Sequence, residues 1–320
     1  MKKKQINQEL IAGRLYDCNL ALRTVQNQQS INFGKEFING SIDIATDEAG
    51  CNVLTVYYTY ITEKTSNDKP DSRFSILKKI MEDEQTWLKV GKDNALKLRV
   101  TPAAALNDFY PNGQDQVVST PRNEGGFINL VSELEEGEDK RNFFRFDTII
   151  TGCTVVDVDP ETDTGEYAKL NAAIFNFKND ILPFPLVTKD PAAITYFMEQ
   201  NLSASNPMYT QVWGHIENTT VKVETVTESA FGTPLVNTTN RQKREWVITG
   251  ANPVPYEFGL EETITADDLK KAIADRNVHL EEERTRSQAY WASRGNTSTQ
   301  SAPAPAPAPS ATIPQGGFNF

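Results

Sequence analysis

The sequence is poor in the residues that most often perform catalysis or bind transition metals. Its 320 residues include two histidines, His215 and His279, and three widely spaced cysteines, Cys18, Cys51 and Cys153. Three such thiols indicate reduced cysteines in a cytoplasm, neither a disulfide framework nor a zinc site. The motifs HExxH, G-x-S-x-G, G-x-x-x-x-G-K and GxGxxG are absent as well. We therefore expect a protein that is not an enzyme and has no cofactor.

One acidic stretch, "DVDPETDTGEY", has some of the spacing of a calcium loop. Its carboxylates recur at alternate positions: Asp157, Asp159, Glu161 and Asp163. A calcium loop needs glycine at its sixth position, and Thr162 or Thr164 stands there for the two possible starts. A solvated β-turn built from Asp-Pro and Thr-Gly explains the stretch better, so we expect no metal site.

Long apolar runs are missing, and acidic residues outnumber basic ones. No run reaches the roughly 18 residues that a membrane span needs, and "LIAG" near the start is too short for a signal peptide. These features predict a cytoplasmic protein. The net charge of −11 opposes binding of duplex DNA through bulk charge. The acids are concentrated in 133–139 and 260–268, which leaves room for a local basic groove.

The last residues lack charge altogether, from Gly295 onward. Alternating Ala and Pro in 302–309 predict an extended, disordered spacer with no core of its own. Phe318 and Phe320 stand at its tip. This tail is either a frayed terminus or a spacer whose aromatic tip binds a partner protein.

Hydrophobic patterning divides the chain into five segments. Residues 1–30 are polar and predict an N-terminal arm or helix. Residues 31–135 predict a first β-rich, possibly OB-like domain, and residues 136–260 predict a second OB-like domain. An exposed C-terminal helix over 261–294, with Thr265 and Asp268 as a capping box, precedes the tail of 295–320.

The element order of the second β-rich segment is β-β-β-α-β-β, which is that of an OB-fold. The first segment fits this order if "TPAAALNDFY" at 101–110 starts a helix, as "DPAAITYFME" does at 190–199. We predict a mainly β protein with α-helices (α+β), made of OB-fold-like Greek-key barrels, a C-terminal helix and a disordered Pro/Ala tail. Whether the two halves are a true duplication is left open.

Aromatic and cationic side chains alternate on several predicted strands. Unpaired bases stack on aromatic rings for about 1–3 kcal/mol each, and Lys and Arg contact the phosphates. The alternative for each ring is burial in the core. We predict a nucleic-acid-binding site formed by Tyr58, Tyr60, Lys97, Arg99, Phe144, Arg145, Phe146, Trp213, Lys222, Arg244 and Trp246.

Four blocks carry a resemblance to a known family: "AAIFNFKNDILPFPL", "DPAAITYFMEQ", "VWGHIENTTVKVETVTESAFG" and "REWVITGANPVPYEF". Over about residues 140–285 the chain resembles phage-encoded single-stranded-DNA-binding proteins of Gram-positive hosts. The resemblance implies an OB-fold and non-catalytic binding of single-stranded DNA during phage DNA replication or recombination.

The same resemblance implies a flexible tail that recruits replication or recombination proteins through terminal aromatics, here Phe318 and Phe320. Tails of that family are typically acidic before the tip, whereas this one is uncharged. A homo-oligomer and a preference for DNA or RNA are left open. The alternative function is a structural or assembly protein, such as a virion component or scaffold.

Overall fold

The computed structural model of the chain describes residues 4–157, 165–227, 231–233, 235–260 and 263–294. For residues 222–227, 237, 239–241, 266 and 293–294 it describes the backbone alone. The tail with Phe318 and Phe320 lies outside the described residues, as do Asp159, Glu161 and Asp163 of the acidic loop.

Strands make up nearly half of the described chain. They are β1 (Asn7–Thr24), β2 (Glu36–Ala45), β3 (Val53–Thr62), β4 (Lys97–Phe109), β5 (Val118–Leu130), β6 (Asn142–Val156), β7 (Tyr167–Phe175), β8 (Ile181–Thr188), β9 (Met208–Thr227) and β10 (Leu235–Ala251). The α-helices are α1 (Ser72–Asp83), α2 (Trp87–Val90), α3 (Pro191–Glu199) and α4 (Ala266–Arg294), and short 3₁₀ helices cover Lys92–Asn94 and Glu138–Lys140. The described helices include none with both the length and the apolar composition of a membrane span.

The first five strands form a ring with the order β1-β2-β3-β5-β4-β1. The long strand β1 closes this ring, because it pairs with β2 from Arg14 to Thr24 and with β4 from Ile11 to Arg14. Strands β3 and β5 are parallel, and α1 lies between β3 and β4 in the chain. This is the five-stranded Greek-key barrel of an OB-fold, with its helix after the third strand.

The last five strands repeat that arrangement, in the order β6-β7-β8-β10-β9-β6. Strands β8 and β10 are the parallel pair, and α3 lies between β8 and β9 in the chain. The prediction of a mainly β protein with OB-fold-like barrels and a C-terminal helix is therefore confirmed. Both halves have one topology.

Alternating apolar side chains fill each barrel. In the first, Val56, Tyr58 and Leu98 are buried, and so is Leu77 of α1. The carboxylate of Asp71 accepts a hydrogen bond from the backbone N–H of Arg73 at 3.0 Å and thereby caps α1.

Aromatic rings dominate the core of the second barrel. The ring of Phe184 makes edge contacts with Phe146 and Trp246, at centroid distances of 5.9 and 4.7 Å. Asp190 caps α3 as predicted, because its carboxylate accepts a hydrogen bond from the backbone N–H of Ala192 at 2.8 Å. Pro191 takes the first helical position, where no backbone donor is needed.

Helix α4 begins at the predicted capping box. The backbone N–H of Thr265 donates to the Asp268 carboxylate at 2.9 Å, and that of Asp268 donates to the Thr265 hydroxyl at 3.1 Å. Leu269 packs into the core cluster of the second barrel. Two turns further on, Arg276 donates two hydrogen bonds of 3.1 Å to Asp108, and both side chains are almost fully buried. The first half of α4 is therefore anchored, and the prediction of a mostly exposed helix fits its second half.

Two segments differ from their sequence-based prediction. Residues 7–24 form strand β1, where the polar composition suggested an arm or a helix. The backbone of this segment is hydrogen-bonded to β2 and β4, so tertiary pairing overrides its weak local preference.

The segment at 101–110 is the second exception, because it continues β4 and does not start a helix. Asn7 pairs with Ala104 through two hydrogen bonds, from its side-chain amide to the carbonyl at 2.8 Å and from the Ala104 N–H at 2.9 Å. Pro102 is buried within the strand. Helix α1 therefore occupies the place in the barrel that the sequence assigned to this segment.

The contacts divide the chain into two compact units. One unit holds 7–105 and 122–145, and the other holds 4–6, 106–121 and the described residues from 146 onward. Residues 106–121, which include the end of β4, the β4–β5 connection and the start of β5, thus belong with the second unit, as α4 does. The division of the chain into domains at 31–135 and 136–260 stays a prediction.

Candidate nucleic-acid interface

The outer side of β2, β3 and β5 in the first barrel exposes aromatic rings. Tyr57 and Tyr60 are 36% and 43% exposed. The ring of Phe37 lies 4.7 Å from that of Tyr60, and the Arg122 guanidinium lies 5.8 Å from the centroid of Tyr57. We call this surface, formed by Phe37, Tyr57, Tyr60, Arg122 and Arg23, the tyrosine face.

A β-bulge brings Tyr60 to this face. Ile38 pairs with Ile61 and Gly40 pairs with Tyr58, so β3 takes three steps where β2 takes two. The extra residue reverses the alternation of side chains, and Tyr58 therefore points into the barrel while Tyr60 points out. Gly40 has φ of 127°, and a Cβ atom there would lie 2.1 Å from the carbonyl oxygen of Asn19. Only glycine fits this position without displacing the backbone.

Charged side chains lie within the tyrosine face and at one end of it. Arg122 forms an ion pair of 3.0 Å with Glu124, which also accepts a hydrogen bond from Thr59 at 2.6 Å. Arg23 is exposed and stands opposite Phe37 in the β1–β2 register. Further along the same strands Asp17 stands opposite Asp43, and these two acids mark the end of the face. Between these acids and the β1–β2 loop the face combines flat rings with guanidinium groups.

The outer side of the second barrel carries different chemistry. Tyr167 is only 3% exposed, because it packs with Val187 and Val247. The ammonium groups of Lys169 and Lys243 lie 5.6 and 5.4 Å from the centroid of its ring. We call this surface, formed by Tyr167, Lys169, Lys189, His215, Glu217, Lys243 and Glu245, the lysine face.

Ion pairs join most side chains of the lysine face. Lys189 pairs with Glu217 and, at 3.3 Å, with Glu245, which also pairs with Lys243 at 3.1 Å. Hydrogen bonds with His215 and Lys189 lower the pKa of Glu217 to about 2, although burial acts in the opposite direction. Burial disfavours the charged form of Lys189, but its contacts with the two glutamates outweigh this and raise its pKa. The positive charge of this face is therefore largely balanced by its own carboxylates.

Four of the predicted base-stacking residues lie in the barrel cores. Tyr58, Phe144, Phe146 and Trp246 are each at most 1% exposed. A base cannot reach a ring that packs on all sides against other side chains, so these four assignments were wrong. Burial also raises the pKa of Tyr58. Phe144 and Phe146 share one side of β6, because alternate residues of a strand point the same way, and that side faces inward.

Lys97 and Arg99 lie on the outer side of β4, as the alternation predicted. The Lys97 ammonium donates to the carbonyl oxygen of Ser132 at 2.9 Å, and Arg99 pairs with Glu135 at 3.4 Å. Arg145 is half-buried and donates to the side chain of Gln8 at 3.1 Å. Glu135 of the acidic run at 133–139 therefore pairs with Arg99, and Ser132, which directly precedes that run, accepts the hydrogen bond from Lys97.

The other predicted residues lie on the long β9–β10 hairpin of the second unit. Trp213 is half-buried over Gly250, where a Cβ atom would come within 2.4 Å of the indole nitrogen. Arg244 is half-buried and stands opposite Asn218. Lys222 stands opposite Asn240 in the same hairpin, and its side chain lies outside the described residues. The predicted set is therefore distributed over both units.

Clusters of metal ligands do not occur in the described parts of the chain. Asp157 is the described member of the acidic loop.

A family model described as YorF matches residues 11–286. The chain belongs to the YorF family. A comparison with curated proteins gives no match. Among solved structures, this YorF chain is similar to two crystal structures of the single-stranded DNA binding protein from Thermus aquaticus. A deletion variant is 12% identical, with a TM-score of 0.43, and covers 81% of this chain and 99% of its own. The wild-type protein is 13% identical, with a TM-score of 0.40, and covers 80% and 98%.

Sequence reasoning missed four residues of the tyrosine face of this YorF chain: Phe37, Tyr57, Arg122 and Arg23. A signal for the tyrosine face was present in Gly40, because a glycine within a strand pattern often marks a bulge. A bulge near Gly40 would have separated Tyr58 from Tyr60 and placed Tyr57 with Tyr60. Arg122 carried no such signal, since its strand lies far along the sequence from Tyr57.

Proposed function

We propose that this protein binds single-stranded DNA without catalysing a reaction, and that the tyrosine face is its main contact surface. The observation that carries the proposal is the exposure of Tyr57 and Tyr60 on the outer side of an OB barrel. OB-folds bind oligonucleotides on the face of strands two and three and with adjacent loops. Of the nucleic-acid-binding residues that the sequence predicted, Tyr60 belongs to this surface.

The chemistry of the tyrosine face suits unpaired bases. Each ring that stacks on a base contributes about 1–3 kcal/mol, without regard to sequence. Arg23 and Arg122 are placed to contact phosphates beside the rings. The β1–β2 loop adds Phe33, which is 52% exposed, and the cation of Lys35. The net charge of −11 then acts against duplex DNA, while the local surface still accepts a single strand.

The wider role is proposed from the resemblance of the sequence blocks. We place the protein in phage DNA replication or recombination, in the host cytoplasm, with Phe318 and Phe320 as contacts for replication or recombination proteins and with homo-oligomers as one arrangement. Secondary contacts to the DNA are assigned to the remaining predicted residues: Lys97, Arg99, Arg145, Trp213, Lys222 and Arg244.

Titration of the full chain with oligo-dT, duplex DNA and RNA tests the proposal. At about 50 mM salt we expect binding to oligo-dT that weakens as salt rises, and much weaker binding to the duplex. The variants Tyr57→Ala and Tyr60→Ala should each weaken oligo-dT binding about 5- to 150-fold. Tyr290→Ala is the matched control, because Tyr290 is a 48% exposed tyrosine on α4.

Failure of the folded wild-type protein to bind oligo-dT at low salt would disprove the function. Equal losses in all three tyrosine variants would disprove the assignment of the tyrosine face. Preferred binding to RNA would mean that the ligand is RNA and would leave the assignment of the tyrosine face unchanged. Large assemblies that form without nucleic acid, together with no oligo-dT binding, would favour the structural role.

A further inference from the structure

The turn between β7 and β8 presents a phenylalanine to solvent. Phe177 is 71% exposed, whereas Phe175, two residues earlier, is 1% exposed and lies in the core. Single exposed apolar residues are common and need no explanation by themselves. Two further features distinguish this one: the turn that carries it is fixed, and cations lie over its ring.

Hydrogen bonds fix the turn at 176–180. The side-chain oxygen of Asn176 accepts from the backbone N–H groups of Lys178 at 2.8 Å and Asp180 at 2.9 Å. The backbone N–H of Asn176 donates to the carbonyl oxygen of Asp180 at 3.0 Å. Asn179 takes the left-handed conformation with φ of 65°, which asparagine tolerates better than most residues. Phe177 is therefore held at the tip of a closed turn, with little conformational freedom to lose on binding.

Two lysines flank the ring of Phe177. The ammonium group of Lys178 lies 5.5 Å from the ring centroid, and that of Lys4 lies 5.7 Å from it. Lys4 is positioned by its neighbour Gln5, whose backbone N–H donates to the side-chain oxygen of Asn179 at 3.2 Å. Gln5 is buried and also accepts a hydrogen bond from the hydroxyl of Tyr209. Two separate segments of the second unit therefore bring cations to one exposed ring.

We propose that the turn at 176–180, together with Lys4, is a second contact for single-stranded DNA, in which Phe177 stacks on one base and the two lysines contact its flanking phosphates. This inference rests on the proposed function and adds a contact in the second unit. The carboxylate in the turn, Asp180, accepts a hydrogen bond from the Asn176 amide at 2.9 Å. The ligand is an unpaired nucleobase with its phosphates, because a paired base has no free face for the ring.

Oligo-dT titration of Phe177→Ala in the full chain tests this contact. We expect about 5- to 150-fold weaker binding, equivalent to about 1–3 kcal/mol for one stacked base. Phe177→Trp should keep the affinity, and its added fluorescence should be quenched by the DNA. Tyr290→Ala is the control, because Tyr290 is a 48% exposed aromatic residue of the same unit, on α4, and belongs to neither proposed contact. It should bind like the wild type.

Salt dependence tests the two lysines. Lys4→Gln and Lys178→Gln should each reduce the slope of log K against log salt by about 0.7, the value for one phosphate contact on a single strand. Lys79→Gln, an exposed lysine on α1, should leave the slope unchanged. Photo-crosslinking to oligonucleotides that carry 5-iodouracil should map to Phe177 by mass spectrometry.

The outcomes separate this inference from the function beneath it. If the wild-type protein binds oligo-dT, Phe177→Ala binds it with the same affinity and the crosslinks map to other residues, the second contact is overturned and the proposed function stands. Equal losses in Phe177→Ala and Tyr290→Ala would overturn it as well, because the effect would then be non-specific. No binding by the wild-type protein would overturn both.

Discussion

The two barrels have one strand order, but different side chains cover their outer surfaces. In the first barrel Tyr57 and Tyr60 stay exposed, and Arg122 lies beside them. In the second, Tyr167 is buried under Lys169 and Lys243, and glutamates balance most of the lysines. A shared fold therefore leaves function undetermined, and the surface of each barrel has to be considered separately. The first surface suits ring stacking, whereas the second is organised by ion pairs.

The largest effects should come from rings inside the barrels. Tyr58→Ala and Trp246→Ala should each lower the free energy of unfolding of their barrel by about 3–5 kcal/mol, because each leaves a large cavity. Tyr60→Ala should change it by less than about 1 kcal/mol, since its ring is 43% exposed. Urea unfolding followed by circular dichroism measures all three. Equal losses for Tyr58→Ala and Tyr60→Ala would show that no bulge separates them.

A smaller effect should distinguish the ion-paired surface. Lys189→Met removes the cation shared by Glu217 and Glu245 and should cost about 1–3 kcal/mol of stability. Lys64→Met is the control, because its pair with Asp68 is well exposed and screened by solvent, and its loss should leave stability almost unchanged. Urea unfolding at pH 7 compares the two variants. Equal stabilities would mean that the lysine face does not depend on its ion pairs.

Acid should weaken the second barrel through Glu217. Its pKa falls from an ordinary 4.5 to about 2 in the folded protein, so the unfolded chain binds more protons between those values. Stability from this group is therefore complete above pH 4.5 and is lost as the pH falls toward 2. Glu217→Gln should remove about 1 kcal/mol at pH 7 and flatten the acid limb, allowing for solvent screening. Unfolding free energies at pH 7, 4 and 3 measure this.

Glu48 provides the matched test in the first barrel. Hydrogen bonds from Lys92 and Arg141 lower its pKa to about 2 as well. Its side chain is 53% exposed, so Glu48→Gln should flatten the acid limb less than Glu217→Gln does. A larger effect from Glu48 would reverse the comparison of the two surfaces.

The smallest effect should come from the pair of Glu135 and Arg99. Both side chains are about half exposed, so Glu135→Gln should cost about 0.2–1 kcal/mol of stability. Without this carboxylate Arg99 gains freedom to meet a phosphate, and the salt slope of oligo-dT binding should steepen by up to about 0.7. Glu133→Gln, in the same acidic run, is the control. An unchanged slope would exclude Arg99 from the DNA contacts.

Local signals in the sequence predicted much of the fold. Asp190 caps a helix at the start of the segment 190–199, as predicted, and Thr265 forms its capping box with Asp268. Such features depend on residues a few positions apart, and they are therefore visible in the sequence. The failures involved distant partners. Strand β1 and the strand at 101–110 depend on backbone pairing across many residues, which local composition does not encode.

The candidate site was predicted less well for a related reason. Alternation correctly placed Lys97 with Arg99, but it could not tell the inner from the outer side of β6, and Phe144 and Phe146 are inside. The bulge opposite Gly40 then reversed the pattern within β3 and separated Tyr58 from Tyr60. Phe177 was missed because its surroundings come from Lys4, more than 170 positions earlier in the chain.

Strand β1 has a consequence for how the molecule is made. One of its two partner strands in the first barrel, β4, begins at Lys97. The barrel therefore stays open until the ribosome has released more than a hundred residues. Contacts of such sequence separation slow folding, because a long segment must be ordered before they form. During that interval the unpaired edge of β1 is a target for other nascent chains, and early capture by a chaperone would favour correct closure.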